Sequence, residues 1–338
     1  MKNSQVSIIG AGSWGTALAL VMARHSKEQG PAIPIWGHDP EHIAAMQRCR
    51  SNEKYLKGVE FPATIMPTNS LSDCVGAAVL FLAVPSEHLA SVAEQLSVVG
   101  IGADTIIVSC TKGIEQKRGL LMSEVIAEKL PSAIITVLSG PNLAGEIARG
   151  IPAACVIGSD RPEALPRVQS LFEGTNLRPY TSVDARGVQL GGALKNIFAI
   201  AAGASDGLGM GENAKAGIVT RSLAEMRRLG VAMGAERETF RGLSGIGDLM
   251  VTCFSANSRN HRVGFRLGRG ESLQDISASM TMVAEGIPTT ASAAACARRL
   301  GVETPIIDQV YSLLYEGKSP AQAMKDLLSR QLRSEEEV

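Results

Sequence analysis

The first half of the chain alternates short, nearly continuous apolar runs with stretches of helical periodicity. Strands are expected at Val6–Ile9, Ile33–Trp36, Val79–Val84, Thr105–Ser109 and Ile134–Ser139, with weaker ones at Ala154–Ile157 and Leu177–Tyr180. Helical patterns lie between them, for example at Thr16–Arg24, His42–Arg50, His88–Leu96 and Leu121–Leu130. A strand that is apolar on both faces must be covered on both. The alternation therefore implies a doubly wound α/β domain with a parallel sheet. After about Gln189 the strand-like runs stop and Ala/Gly-rich helical patterns take over, at Leu190–Ala204, Lys215–Leu229, Ala291–Leu300, Ile306–Tyr315 and Pro320–Leu328. The expected division is an α/β domain over 1–189, an all-α domain over 190–330 and a frayed acidic tail over 331–338.

Composition agrees with two folded domains. At about 150 residues per domain, 338 residues accommodate two ordinary cores,. Hydrophobic residues at 45% and charged residues at 20% exclude a disordered chain,. The 33 basic residues balance 33 acidic ones, which argues against a dedicated nucleic-acid or membrane-surface binder,. Six cysteines are scattered with no C-x-x-C pair and no histidine at ligand spacing, so buried free thiols are expected rather than disulfides or a metal centre,. With a strand-like run beginning at Val6, no secretory signal is expected,. The longest apolar stretch, Val75–Val84, falls short of the roughly 20 residues that span a bilayer,. A cytoplasmic protein without membrane insertion is the expectation.

Gly10-Ala11-Gly12-Ser13-Trp14-Gly15 follows the first strand and opens a helix, the context in which G-x-G-x-x-G binds a dinucleotide,. The first glycine permits the tight turn, and the second lets backbone approach a pyrophosphate. The third lets helix and strand pack closely. At the end of the second strand, Asp39 lies slightly beyond the roughly 20-residue offset of an acid that binds the NAD ribose. His38 beside it would suit the 2′-phosphate of NADP, and Asp39-Pro40 also reads as a helix cap with proline at N1. The choice between NAD and NADP stays open. Ligands of such sheets bind beyond the carboxyl ends of the strands, where Val84-Pro85-Ser86, Thr111-Lys112-Gly113 and Gly140-Pro141-Asn142 also lie,. Lys112 brings a cation suited to a phosphate, against the alternative of an ordinary surface lysine.

Between Arg186 and Asp206 the one charged residue is Lys195, among small and apolar neighbours. Desolvation there would lower its pKa and poise it for proton transfer; the alternative is a lysine whose ammonium escapes to water. Gly245-Ile246-Gly247-Asp248 and Ser258-Arg259-Asn260 are expected in connections between helices. Arg259 offers a planar fork for a phosphate. Asp248 could orient the Lys195 ammonium or accept from a substrate hydroxyl. A helix cap at Asp248 and a plain turn at 258–260 are the structural alternatives.

Taken together, Gly-Ala-Gly-Ser-Trp-Gly-Thr-Ala, Trp-Gly-His-Asp-Pro, Thr-Lys-Gly, Ser-Gly-Pro-Asn, Gly-Val-Gln-Leu-Gly-Gly-Ala-Leu-Lys-Asn, Gly-Ile-Gly-Asp and Ser-Arg-Asn resemble the NAD(P)-dependent glycerol-3-phosphate dehydrogenases of bacterial biosynthesis. The resemblance runs from the glycine loop to about Leu328. It implies a Rossmann-type domain followed by a helical one, NAD(P)H as cofactor without a metal, and a small phosphorylated substrate. Gly10, Gly12, Ser13, Trp14, Gly15, His38, Ala144, Val283 and Glu285 would meet the cofactor, as would Lys112 and Arg259. Lys112, Gly140, Asn142, Lys195, Asp248, Ser258, Arg259 and Asn260 would meet the substrate, with Lys195 the general acid/base. Asn142 stands where this family often has Ser or Thr, and Gly-Ile-Gly-Asp where it has Gly-Gly-Asp. Tyr55, in Asn52-x-x-Tyr55-Leu56, fits a family pattern with no role assigned. The Ala/Gly-rich half is suited to symmetric packing as a homodimer. Competing readings are a ketopantoate- or hydroxy-acid-type reductase and a non-catalytic NAD(P) sensor.

Overall fold

A computed structural model describes residues 5–26, 30–280, 282–332 and 334–335. The chain forms two compact units, one of residues 1–111 and 122–185, the other of residues 112–121 and 186–338.

The first unit runs β1 (Val6–Ile9), α1 (Ser13–Ser26), β2 (Ile33–Trp36), α2 (Pro40–Cys49), β3 (Ser51–Asn52), β4 (Leu56–Glu60), β5 (Ile65–Thr68), β6 (Val79–Leu82), α3 (Ser86–Val99), β7 (Ile106–Ser109), α4 (Met122–Lys129), β8 (Ile134–Ser139), α5 (Ala144–Ala148), β9 (Ala153–Gly158), α6 (Leu165–Ser170) and β10 (Leu177–Ser182). Eight strands form one sheet in the order β10-β9-β8-β7-β6-β1-β2-β5, while β3 and β4 make a separate hairpin. Every residue of β1, β2, β6 and β7 is buried, as expected of largely apolar strands covered on both faces. The sheet is mixed rather than parallel throughout, because β9 runs antiparallel to β8. The intervening five-residue α5 advances only about 7.5 Å,. That is less than half the roughly 20 Å of the six-residue β8,, so α5 is too short to carry the chain back for a parallel return.

The second unit is built around α7 (Ala185–Gly207), joined by α8 (Gly211–Ala232), α9 (Asp248–Phe254), α10 (Arg259–Gly268), α11 (Leu273–Ala278), α12 (Gly286–Leu300), α13 (Pro305–Tyr315) and α14 (Pro320–Leu328). From Ala193 to Ala202 every α7 residue but Ala201 is buried. Helices α7 and α10 cross on glycines. A Cβ on Gly203 would lie 2.0 Å from the His261 carbonyl oxygen, and one on Gly264 would lie 1.9 Å from that of Ile200. The helical glycines, unfavourable by propensity, are required by this close approach. Gly264→Ala is expected to cost about 3 kcal/mol or more, the range of severe overpacking. Thermal denaturation checks this, and an unchanged Tm would contradict it.

The division departs from a cut at 189/190. That position falls inside α7, which begins at Ala185, and residues 112–121 group with the helical unit. There Ile114 packs in the helical core, and its carbonyl accepts from Ser292 Oγ at 2.9 Å. Of the acidic tail, residues 333 and 336–338 lie outside the described residues; Glu335 pairs with Arg221. Five cysteines are buried free thiols as expected, but Cys49, at the end of α2, is exposed. No helix among the described residues is long and apolar enough to cross a membrane.

Candidate active site

In the first unit the glycine loop connects β1 to α1. Gly10 has φ +122°, and a Cβ there would lie 2.5 Å from the Ala83 carbonyl oxygen; one on Gly15 would lie 1.8 Å from the Gly10 oxygen. Both are closed by the protein itself. A Cβ on Gly12 would meet nothing within 4 Å, so the space beside it is open at the start of a helix. A pyrophosphate fits that arrangement of open backbone and helix dipole.

The β3–β4 hairpin braces this loop. Buried Asn52 donates from Nδ2 to the Ala11 carbonyl at 3.0 Å and to Thr16 Oγ1 at 2.8 Å. Its Oδ1 accepts from the Tyr55 amide at 3.2 Å and lies 2.9 Å from His42 Nε2. Ser13 Oγ donates to the Tyr55 carbonyl at 2.7 Å. The Tyr55 ring meets the His42 ring edge-on at 5.1 Å. Tyr55 thus fixes the hairpin against the start of α1. Asp39 realises the cap reading: its Oδ1 accepts from the amides of Glu41 and His42, and its Oδ2 pairs with Lys54 at 3.3 Å. Those contacts, the His42 amide foremost, hold the Asp39 carboxyl below the usual carboxylate range. His38 is exposed beside it, while Trp14 and Ala144 are partly buried against the sheet's core. Gly140, at φ +134°, follows β8. Asn142 Nδ2 donates to the Ala154 carbonyl at 3.2 Å, leaving its buried Oδ1 without a hydrogen-bond partner.

The second unit assembles the charged residues. Lys195 is 7% exposed and Asp248 fully buried, so the ammonium does not escape to water. Lys195 Nζ donates to Asp248 Oδ1, and to Thr252 Oγ1 at 2.8 Å. Lys112 Nζ reaches the other carboxylate oxygen at 2.6 Å. Close packing delivers Asp248 to this point. A Cβ on Gly191, one turn before Lys195, would lie 2.3 Å from the Ser244 carbonyl oxygen, in the π-helical turn Leu243–Gly247 that leads into Asp248. Asp248 is therefore the first residue of α9, not its cap. Burial pushes the Lys195 ammonium down to about 7; Asp248 opposes that effect and Lys112 adds to it,. Two ammonium groups share one carboxylate, a buried surplus of positive charge suited to an anionic ligand.

Ser258-Arg259-Asn260 is not a turn between helices but the cap and first residues of α10. Ser258 Oγ accepts from the His261 amide at 3.2 Å. Asn260 is buried and linked on both sides: its Nδ2 donates to Asn196 Oδ1 at 2.9 Å, and its Oδ1 accepts from the Gly286 amide at 2.9 Å. Exposed Arg259 donates to the Val283 carbonyl at 2.8 Å, close to Glu285 at the start of α12. Asn196 follows Lys195 directly, so these contacts tie the α10 terminus to the lysine's helix.

The structure thus gathers Lys112, Lys195 and Asp248 in one cluster. A bond to Asn196 adjoins Ser258, Arg259 and Asn260 to it, with Val283 and Glu285 beside Arg259. Gly10, Gly12, Ser13, Trp14, Gly15, His38, Gly140, Asn142 and Ala144 lie around the carboxyl ends of β1, β2 and β8 in the other unit. Thr252, Asn196 and Asn52 were not among the candidates. Thr252 carried a signal, since it stands four residues after Asp248 on one helix face.

Residues 5–165 match the family described as NAD-dependent glycerol-3-phosphate dehydrogenase N-terminus, and residues 184–325 its C-terminus. A glycerol-3-phosphate dehydrogenase [NAD(P)+] of Desulfotalea psychrophila is 44% identical, covering 98% of each chain. That of Chlorobium limicola is 45% identical over 98% of this chain and 99% of its own. The crystal structure of glycerol-3-phosphate dehydrogenase from Coxiella burnetii superposes with a TM-score of 0.91 at 37% identity, covering 96% of this chain and 98% of its own. With an open glycine loop in one unit and a buried lysine–aspartate pair in the other, the chain belongs to the NAD-dependent glycerol-3-phosphate dehydrogenase family.

Proposed function

We propose that the protein catalyses the reversible NAD(P)H-dependent reduction of dihydroxyacetone phosphate to sn-glycerol 3-phosphate, supplying glycerophospholipid synthesis in the cytoplasm. The observation that carries this reading is the buried Lys195, held by Asp248 and Thr252 and accompanied by Lys112 on the same carboxylate. An ammonium has three donors. With two on Asp248 and Thr252, the third serves the substrate carbonyl oxygen. Bound NAD(P)H supplies a hydride to the carbonyl carbon. Lys195 gives its proton to the developing alkoxide, and in the reverse direction its neutral amine removes the hydroxyl proton. Lys112 and Arg259 hold the phosphate, with Ser258 and Asn260 fixing the turn from which Arg259 projects. Gly140 and Asn142 complete the substrate contacts, Asn142 through its unpartnered Oδ1 as acceptor for a hydroxyl. Gly10, Gly12, Gly15, Ser13, Trp14, His38 and Ala144 bind the dinucleotide, as do Val283 and Glu285.

The test compares dihydroxyacetone phosphate with unphosphorylated dihydroxyacetone and ketopantoate in steady-state reduction, with NADH and NADPH side by side. Charge-assisted hydrogen bonds contribute about 1.5–3 kcal/mol each. Loss of the phosphate should therefore lower kcat/KM by about 100-fold or more. Equal use of dihydroxyacetone, or a preference for ketopantoate, would overturn the assignment.

A further inference from the structure

A second buried charged cluster lies where α7, α8, α9 and α10 meet, and the proposed chemistry makes no use of it. Asp206, near the end of α7, accepts through Oδ2 from Lys215 Nζ at 2.7 Å and lies 2.7 Å from His261 Nε2. Lys215, on α8, is 7% exposed, and its ammonium stands 5.0 Å from the centre of the Phe254 ring at the end of α9. Exposed Glu212 is 3.7 Å from the same ammonium. His261 is 8% exposed and is the third residue of α10. A lysine this buried requires a partner, and Asp206 provides it.

His261 is held at both ends, because its amide bonds the Ser258 cap while its ring bonds Asp206. Two residues before it stands Arg259, whose long side chain is exposed and whose one protein hydrogen bond described above is to a backbone carbonyl. The direction of that guanidinium therefore depends on where the first turn of α10 is fixed. Asn260 fixes one side of the turn through Asn196 and Gly286; His261 fixes the other through α7 and α8.

We propose that His261, anchored by the Asp206–Lys215 pair, is a positioning residue for the phosphate-binding arginine, acting through Arg259 and touching no substrate itself. The inference rests on the proposed function, in which Arg259 holds the substrate phosphate. A phosphate clamp displaced by about 1 Å loses up to about 100-fold in rate or affinity. Arg259 would hold the phosphate alike in the ground and transition states, so its displacement removes uniform binding, and a raised KM with little change in kcat is the signature sought.

The experiment measures KM and kcat for dihydroxyacetone phosphate in His261→Ala, His261→Gln and Asp206→Asn, each in the wild-type and Arg259→Ala backgrounds, alongside thermal melts. Expected for His261→Ala is a KM raised about tenfold or more with kcat within about threefold. In the Arg259→Ala background the same change should add less than about twofold, since the residue through which it acts is gone. His261→Gln, whose amide can still donate to Asp206, should restore KM to within about threefold of wild type. An unchanged KM in folded His261→Ala, or an equal rise with and without Arg259, overturns the proposal. If His261→Ala does not fold, Asp206→Asn, which keeps the shape and removes the charge, takes its place in the same two backgrounds. An unchanged KM there, or an equal rise in both, likewise overturns the proposal. A wild-type chain without dihydroxyacetone phosphate turnover, or an Arg259→Ala variant with unchanged KM, would overturn the function reading and this inference with it. The other outcomes leave that reading intact.

Discussion

Lys195→Ala is expected to lower kcat for dihydroxyacetone phosphate reduction by about 1,000-fold, within the range that a positioned proton donor contributes. The fold should survive. Removing Lys195 does not orphan the buried Asp248 carboxylate, because Lys112 remains on its other oxygen at 2.6 Å. Affinity for NADPH, followed by the change in its fluorescence on binding, should stay within about threefold of wild type, since uniform binding is untouched. Turnover near that of the wild type would remove Lys195 from the chemistry. A collapse of thermal stability would point instead to a structural lysine.

Asp248 has the second large effect, and two substitutions separate its roles. Asp248→Ala strands two ammonium groups without their counter-ion. Breaking a buried pair on one side costs about 3–5 kcal/mol, so a substantially lower Tm is expected. Asp248→Asn keeps the side-chain shape and removes the charge. Lys195 then loses the carboxylate that opposes its desolvation, and its pKa falls below the value near 7 it has beside Asp248,. At neutral pH the lysine is then largely deprotonated, so reduction should slow by about 100-fold and its optimum move to lower pH. Oxidation, which needs the neutral amine, should be impaired less. Rates in both directions across pH 5–9 check the asymmetry. Equal losses in the two directions would mean that Asp248 does not set the protonation of Lys195.

Much of this architecture was legible because it rests on local patterns. Largely apolar runs marked β1, β2 and β8 at their observed limits, since strands covered on both faces are built mainly from such residues,. Hairpin β3–β4 escaped because its strands are short and largely polar. Strand β5 escaped because Pro67 interrupts its pattern, which an edge strand tolerates,. The start of α10 reads as a connection in sequence because the serines and glycines around it argue against a helix,. The crossing with α7 overrides that propensity, a tertiary fact with no local trace. In the site, Lys195 is legible from a lone charge among small residues, whereas its pairing with Asp248 is in sequence one of two open roles for that carboxylate. The bonds of Asn260 to Asn196 and Gly286 were not, because partners so distant in sequence meet only once α7, α10 and α12 are packed.

Proton transfer by Lys195 is tested most directly by the pH dependence of wild-type kcat in the two reaction directions. A lysine lowered to about 7 requires reduction to fall, and oxidation to rise, as pH passes upward through that value. The two limbs should mirror one another, and both should be absent from the residual activity of Lys195→Ala. Limbs that run in the same direction, or persist without Lys195, would contradict a proton transferred by this residue.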